Sequence, residues 1–185
     1  LNASEPGCGK SFTMAKLVEW YVTSLGKKVI VCQPNSLRRK NYKEILRFTE
    51  LTENDIEILN KSHETLSKRK RLDCNRCDPD TGYLDYIATS KAKVFVIGYT
   101  FFSRYWQRLI ECHPEIDLLV GDEYHLNGGW TGIDTASSRA MFGALKHISG
   151  FYPMSGSPIC GKLDKVYNII AAIEPNYYGS YRGFL

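Results

Sequence analysis

The run Ser4-Glu5-Pro6-Gly7-Cys8-Gly9-Lys10-Ser11 constrains this chain more than any other stretch. Its glycines let backbone N–H groups close around a polyphosphate. The Lys10 ammonium reaches the outer phosphates, the Ser11 hydroxyl ligates magnesium, and the next helix turns its positive end to the anion. A chance match in a Gly-rich turn is the bland alternative, and the helix that follows argues against it. That helix is legible over Phe12 to Leu25, where Met14, Leu17, Val18, Tyr21 and Leu25 recur at helical spacing and Gly26 is placed to end it. Lys27 and Lys28 lead into Val29-Ile30-Val31-Cys32, a short apolar run of the kind that forms a strand covered on both faces. Loop, helix and strand make the first unit of an α/β sheet.

The alternation continues. Lys93 to Gly98 and Ile116 to Glu123 read as buried parallel strands, with an aromatic helical stretch from Tyr99 to Ile110 between them. Phe101, Phe102, Tyr105 and Trp106 on that stretch read as core residues before they read as a base-stacking platform. The segment from Thr52 to Lys91 is polar and charged, carries Lys68-Arg69-Lys70-Arg71 and a turn-rich Asp78 to Gly82, and reads as a surface insertion with its best helix at Asp55 to Leu66.

With 185 residues and 43% apolar content the chain can bury one substantial core, so one domain is expected. It holds no long uncharged apolar stretch, which points to no membrane partner and a cytoplasmic setting: host cytoplasm for a viral source, with the nucleus open for a eukaryotic one. The start Leu1-Asn2 leaves only a stump of the strand that should enter the phosphate loop, as in a chain cut from a longer one. Up to Ile110 there are 19 basic and 12 acidic residues, and beyond it 5 and 8. A basic side follows, suited to a polyanion or simply solvated. Six scattered cysteines argue for reduced thiols. Only Cys74 and Cys77 have metal-ligand spacing, and the second pair that a structural zinc needs is missing unless Cys112 and His113 are recruited.

The second chemical constellation is Asp122-Glu123-Tyr124-His125 at the end of an apolar strand. Open α/β sheets place ligands at the carboxyl ends of their strands. There one carboxylate can hold the metal of a nucleotide and the next can orient the attacking water. Taken alone, the pair reads equally well as helix-capping carboxylates; the phosphate loop upstream turns the balance.

In its order of motifs the chain resembles the first RecA-like lobe of superfamily two helicases, and among them most the Swi/Snf-type translocases. Ser4 to Ser11 is similar to their motif I, in the variant with Ser at the first position, and Asp122 to His125 to their D-E-x-H motif II. Val29 to Leu37 resembles motif Ia, a strand ending in Pro34 and a polar loop. Val96-Ile97-Gly98-Tyr99 takes the place of a strand ending in Ser-Tyr, with Gly98 for Ser, and Ser155-Gly156-Ser157-Pro158-Ile159 resembles the Thr-Gly-Thr-Pro-Ile of motif III. Leu163 to Phe184 is similar to the segment that leaves the lobe.

The resemblance implies an α/β P-loop NTPase fold, a RecA-like three-layer sandwich with a mostly parallel sheet, spanning 1–185 with a polar insertion at about 52–91. It implies an ATP hydrolase, with ATP and Mg2+ as cofactors. Pro6, Gly7, Cys8, Gly9, Lys10, Ser11, Phe12 and His125 would hold the nucleotide, and Ser11 and Asp122 the metal. Lys10, Asp122 and Glu123 would be catalytic. His125, Ser155 and Ser157 would couple the γ-phosphate to lobe closure, a histidine packed between strand ends being the plain alternative. DNA, duplex and held by its backbone, is the implied partner through Ser36, Arg38, Arg39 and Tyr99, with Lys40 near; a solvated basic helix turn is the alternative for the arginines. The family completes its active site with arginines of a second RecA-like lobe of the same polypeptide, so this chain on its own is expected to be a weak ATPase. An RNA helicase, a restriction-complex motor, or a nucleotide-dependent binding module with little turnover are the other readings.

Overall fold

Apolar runs that can face water on neither side become the strands of a central sheet. A computed structural model describes residues 1–5, 7–59, 87–126, 129–158, 166–177 and 179–184. Its strands are β1 (Lys28–Gln33), β2 (Ile56–Leu59), β3 (Val94–Gly98), β4 (Ile116–Asp122) and β5 (Gly150–Met154). They lie in the order β2-β3-β1-β4-β5, with every pairing between them parallel. The chain start adds to the far edge: Asn2 bridges Met154 in parallel, its N–H donating to Pro153 O at 2.9 Å and its carbonyl accepting from Ser155 N at 3.1 Å.

Around the strands lie helices α1 (Lys10–Thr23), α2 (Arg38–Phe48), α3 (Tyr99–Cys112), α4 (Ala136–Ala144), α5 (Tyr167–Ile173) and α6 (Tyr181–Phe184), with a 3-10 turn at Asn35–Leu37. Alternate residues of each strand feed opposite faces. Val29, Val31, Val94, Val96, Leu118 and Val120 pack with Met14 and Val18 of α1 and Ile45 of α2. Ile30, Cys32, Phe95, Ile97 and Leu119 pack on the other side with Phe102 and Leu109 of α3, Met141 of α4 and Ile169 of α5. The result is the three-layer sandwich expected, and burial on both faces explains why these strands read as unbroken apolar runs.

Two expectations are corrected here. Asp55 to Leu66 does not form the expected helix: Ile56–Leu59 is the edge strand β2, paired with β3 from Ile56↔Val94 to Leu59↔Ile97, and residues 60–66 lie outside the described ones. Ile56 and Leu59 are buried, so pairing with β3 outweighed the charged context that favoured a surface helix. The segment expected to be a surface insertion from Thr52 thus contains an integral strand; Lys68 to Arg71, Cys74 and Cys77 fall outside the described residues. The second correction is smaller. Helix α1 stops at Thr23, before Gly26 at φ +63°, and Leu25 is exposed instead of lining the core.

One glycine is set by close approach. A Cβ on Gly121 in β4 would lie 2.1 Å from the Trp130 ring, which is fully buried. Trp130 has little room to yield, with Tyr99 and Phe151 rings at 5.1 and 5.6 Å. Gly121→Ala is therefore expected to destabilise the fold by about 1–3 kcal/mol in chemical denaturation, and an unchanged midpoint would show that the indole can move aside.

Candidate nucleotide site

The phosphate loop joins the Asn2 bridge to α1. Gly7 and Gly9 take φ +89° and +78°, a left-handed backbone that side chains rarely adopt, and nothing stands within 4 Å of where a Cβ would sit. Both therefore leave room for an anion at the backbone. Gly9 is the N-cap of α1 and no side chain caps that end, so no side-chain oxygen competes with an anion there. The Lys10 ammonium donates to Ser4 O at 2.5 Å and Glu5 O at 2.9 Å, which keeps its charge at the loop mouth. Cys8 is exposed, Phe12 is half exposed with its ring edge-on to Phe48 at 5.5 Å, and Pro6 lies outside the described residues.

Strand β4 delivers Asp122 to the same edge of the sheet. Its carboxylate is largely buried and accepts from Asn41 Nδ2 at 2.7 Å, while its carbonyl accepts from the Tyr99 hydroxyl at 2.8 Å. Burial pushes the Asp122 pKa up, the Asn41 bond opposes that, and the neighbouring Glu123 charge adds to the rise. A carboxylate in this setting gains from a cation. Glu123 follows at φ +48°, a left-handed conformation that costs a non-glycine residue about 1–3 kcal/mol and persists where surroundings over-determine it.

Those surroundings are the loop after β5. Ser155 is fully buried; its hydroxyl lies 2.7 Å from His125 Nδ1 and 3.5 Å from Glu123 Oε2, and accepts from Ser157 N at 2.9 Å. With the Nδ1–H tautomer, His125 donates to Ser155 and the hydroxyl proton goes to Glu123; the other tautomer sends that proton to the imidazole. Tyr124 adds a second tie, its hydroxyl donating to Pro158 O at 3.3 Å. Since Asn2 flanks β5 on one side and β4 on the other, the phosphate loop, the Ser155 loop and the Asp-Glu-Tyr-His segment stand in neighbouring positions along one edge.

A family profile described as the type III restriction enzyme res subunit matches residues 3–143. The chain belongs to that family. No curated protein matches closely enough to count as a relative. Among solved structures it is similar to the helicase domain of Hef from Pyrococcus furiosus (16% identity, 92% of this chain and 32% of that one, TM-score 0.64) and to the UvsW helicase of bacteriophage T4 (16%, 91% and 50%, 0.60). It is also similar to the SWI2/SNF2 ATPase core of Sulfolobus solfataricus, solved in complex with dsDNA (20%, 98% and 32%, 0.57). The chain spans between about a third and half of the length of these structures. At such identities they establish the fold alone, the RecA-like arrangement of a parallel sheet between helices found in helicase domains.

Set on this fold, the residues expected to touch nucleic acid divide. Ser36 lies exposed in the turn Asn35–Leu37, and Arg39 is exposed on the first turn of α2. Arg38 is half-buried, donating from Nε to Asn35 O at 3.2 Å and from Nη1 to Leu59 O at 3.5 Å, so its guanidinium braces the end of β2. Tyr99 is a correction: it is 2% exposed, with its hydroxyl on Asp122 and its ring against Trp130, and cannot reach a ligand at the surface. At Gly98, where the resemblance has Ser, a Cβ would lie 2.0 Å from Oδ1 of the exposed Asn35, a side chain free to swing aside.

His113, weighed as a recruit to a zinc site, has both ring nitrogens engaged. Its Nδ1 faces Lys28 Nζ at 3.0 Å and its Nε2 the Ile87 carbonyl at 2.8 Å, so neither nitrogen is open to a metal, and no His, Cys, Asp and Glu cluster suited to one occurs among the described residues. No helix among them is long and apolar enough to cross a membrane. Sequence reading missed Asn41 and Gln33. The available signal was an asparagine four residues before Ile45, at an inward position of an amphipathic helix.

Proposed function

We propose that the chain is the ATP-binding lobe of an ATP-dependent DNA translocase or helicase, with Gly7, Cys8, Gly9, Lys10 and Ser11 holding the nucleotide. The observation that carries this reading is the alignment along one sheet edge of the phosphate loop, the Ser155 loop and a strained Glu123 beside a buried Asp122. The donor set fits a magnesium nucleotide: open left-handed glycines, one ammonium, one hydroxyl and one desolvated carboxylate. When bound, Mg2+ would supply charge neutralisation at the phosphates, with Ser11 and Asp122 as its protein ligands.

Glu123 then orients the attacking water and accepts its proton, and the Ser155 hydroxyl and His125 hold that carboxylate in place. Because Ser155 and Ser157 leave the end of β5 while His125 leaves β4, a change at the phosphates shifts one loop against the other. Phosphoryl transfer also needs cationic stabilisation that the helicase family takes from a second lobe, so turnover is a property of the two-lobed polypeptide.

Duplex DNA is the favoured track. The family profile is that of a restriction-enzyme subunit, and a similar fold is that of an ATPase core solved with dsDNA. The uncapped start of α2, with exposed Ser36, Arg39 and Lys40, offers N–H groups and charge to a backbone phosphate. In the two-lobed protein, Arg39→Gln should weaken duplex binding equally for unrelated sequences and lower the log–log salt slope by roughly 0.9. An unchanged slope would return Arg39 to a solvated face, and RNA stimulating ATPase more than duplex DNA would favour the RNA-helicase reading.

A further inference from the structure

Asp122 and Gln33 end adjacent parallel strands, and a single amide from a third element spans both. Asn41, on the second turn of α2, donates from Nδ2 to Gln33 Oε1 at 2.5 Å and to Asp122 Oδ2 at 2.7 Å. All three side chains are buried: Gln33 is 0% exposed, Asn41 1% and Asp122 8%. The strands are level at this point, with Cys32 opposite Gly121, so the two acceptors lie one residue beyond the last paired position.

With Asp122 ionised, the hydrogen-bond logic admits one arrangement. A flipped Asn41 would set its carbonyl oxygen against two oxygen acceptors, and a flipped Gln33 would set donor against donor. Gln33 Oε1 therefore faces Asn41, and its Nε2 is left without a partner among the described residues. Burying an amide donor unpaired is costly, and Asn is a poorer helix former than Leu. A core chosen for stability would carry an apolar residue at 41, as it does one turn on at Ile45. What the polar choice does is hold one carboxylate oxygen. With Oδ2 engaged and the Asp122 carbonyl fixed by Tyr99, the carboxylate cannot turn about its terminal bond, and its other oxygen keeps one direction.

We infer that Asn41 is a positioning residue: oriented by Gln33, it locks the Asp122 carboxylate in the rotamer that receives the metal of the nucleotide. This rests on the reading of Asp122 as a metal-side residue, and it adds to that reading a partner from α2, the helix that starts at the Ser36 edge. Outer partners of metal-ligating carboxylates generally set affinity by fixing orientation, and their loss costs about 10–100-fold in metal affinity.

The test is nucleotide binding by the 185-residue chain, followed with a fluorescent ATP analogue while Mg2+ is titrated. Asn41→Leu should raise the Mg2+ midpoint by about tenfold or more, leaving affinity in EDTA within about twofold of the unsubstituted chain. Gln33→Leu, which keeps the Asn41 to Asp122 bond and loses only its orientation, should raise it less. If Asn41→Leu does not fold, Asn41→Ser is read in its place, because a serine hydroxyl cannot span both acceptors. A folded Asn41 variant with an unchanged Mg2+ midpoint, or one that loses EDTA and Mg2+ binding alike, overturns the inference. Asp122→Asn separates the two levels: if it too leaves the midpoint unchanged, the metal-side reading of Asp122 fails, whereas a shift there without one at Asn41 defeats only the positioning role.

Discussion

Lys10→Ala should cut ATP turnover by about 10²–10³ in the proposed two-lobed polypeptide and leave the fold standing. The ammonium spans the Ser4 and Glu5 carbonyls, and water can take over both acceptors because neither residue is buried. Loss of these two bonds therefore changes stability little, within about 0.5 kcal/mol for a substitution outside the core. At the nucleotide the same change deletes a charge-assisted contact to the outer phosphates, where a lysine neutralises charge that develops in transfer. Removing one such preorganised group costs about 10²–10³ in rate at comparable sites. Thermal melting with steady-state ATPase measurement separates the two effects. A folded variant with the original affinity and rate would remove Lys10 from the site.

Glu123→Gln should act on chemistry and spare binding. The amide keeps the size of the side chain and can still meet the Ser155 hydroxyl and His125, which lie 3.5 and 3.4 Å from Oε2. It cannot take a proton from water. Turnover should fall by about 10²–10⁴, the range for losing a general base, with nucleotide affinity within a few-fold. Retained turnover would show that another group orients the water. Backbone conformation adds a control, because Glu123 sits at φ +48°. Glu123→Gly removes the left-handed cost of about 1–3 kcal/mol, so stability should hold while activity is lost. A residue kept for structure would show the opposite.

Much of the site was legible because its chemistry is local in sequence. Gly7, Gly9, Lys10 and Ser11 are neighbours along the chain, and glycine at two positions of positive φ is a backbone requirement that no tertiary contact alters. The apolar runs of β1, β3 and β4 were equally legible, since burial on both faces leaves no polar alternation. Strand β2 was not: Ile56-Glu57-Ile58-Leu59 is short, set among charged residues, and becomes a strand only because β3 offers it an edge. Tyr99 failed for a related reason. Its place after a strand end suggested a ligand contact, while the first turn of α3 carries its ring down onto Trp130, a residue whose approach no local pattern foretold.

The sequence by itself determined the class of chemistry and the order of the layers, because phosphate-loop geometry and hydrophobic runs act within one element or between adjacent ones. Only the tertiary structure decided what holds the Asp122 and Glu123 carboxylates. Asn41 meets Asp122 across 81 positions of chain, and Ser155 meets His125 across 30. Such pairs arise from the strand order, which sets Gln33, Asp122 and Met154 side by side, and strand order is chosen by the packing of whole elements. A buried hydroxyl or amide finds its partner after that choice, so its role is written in the fold and not in its neighbours along the chain.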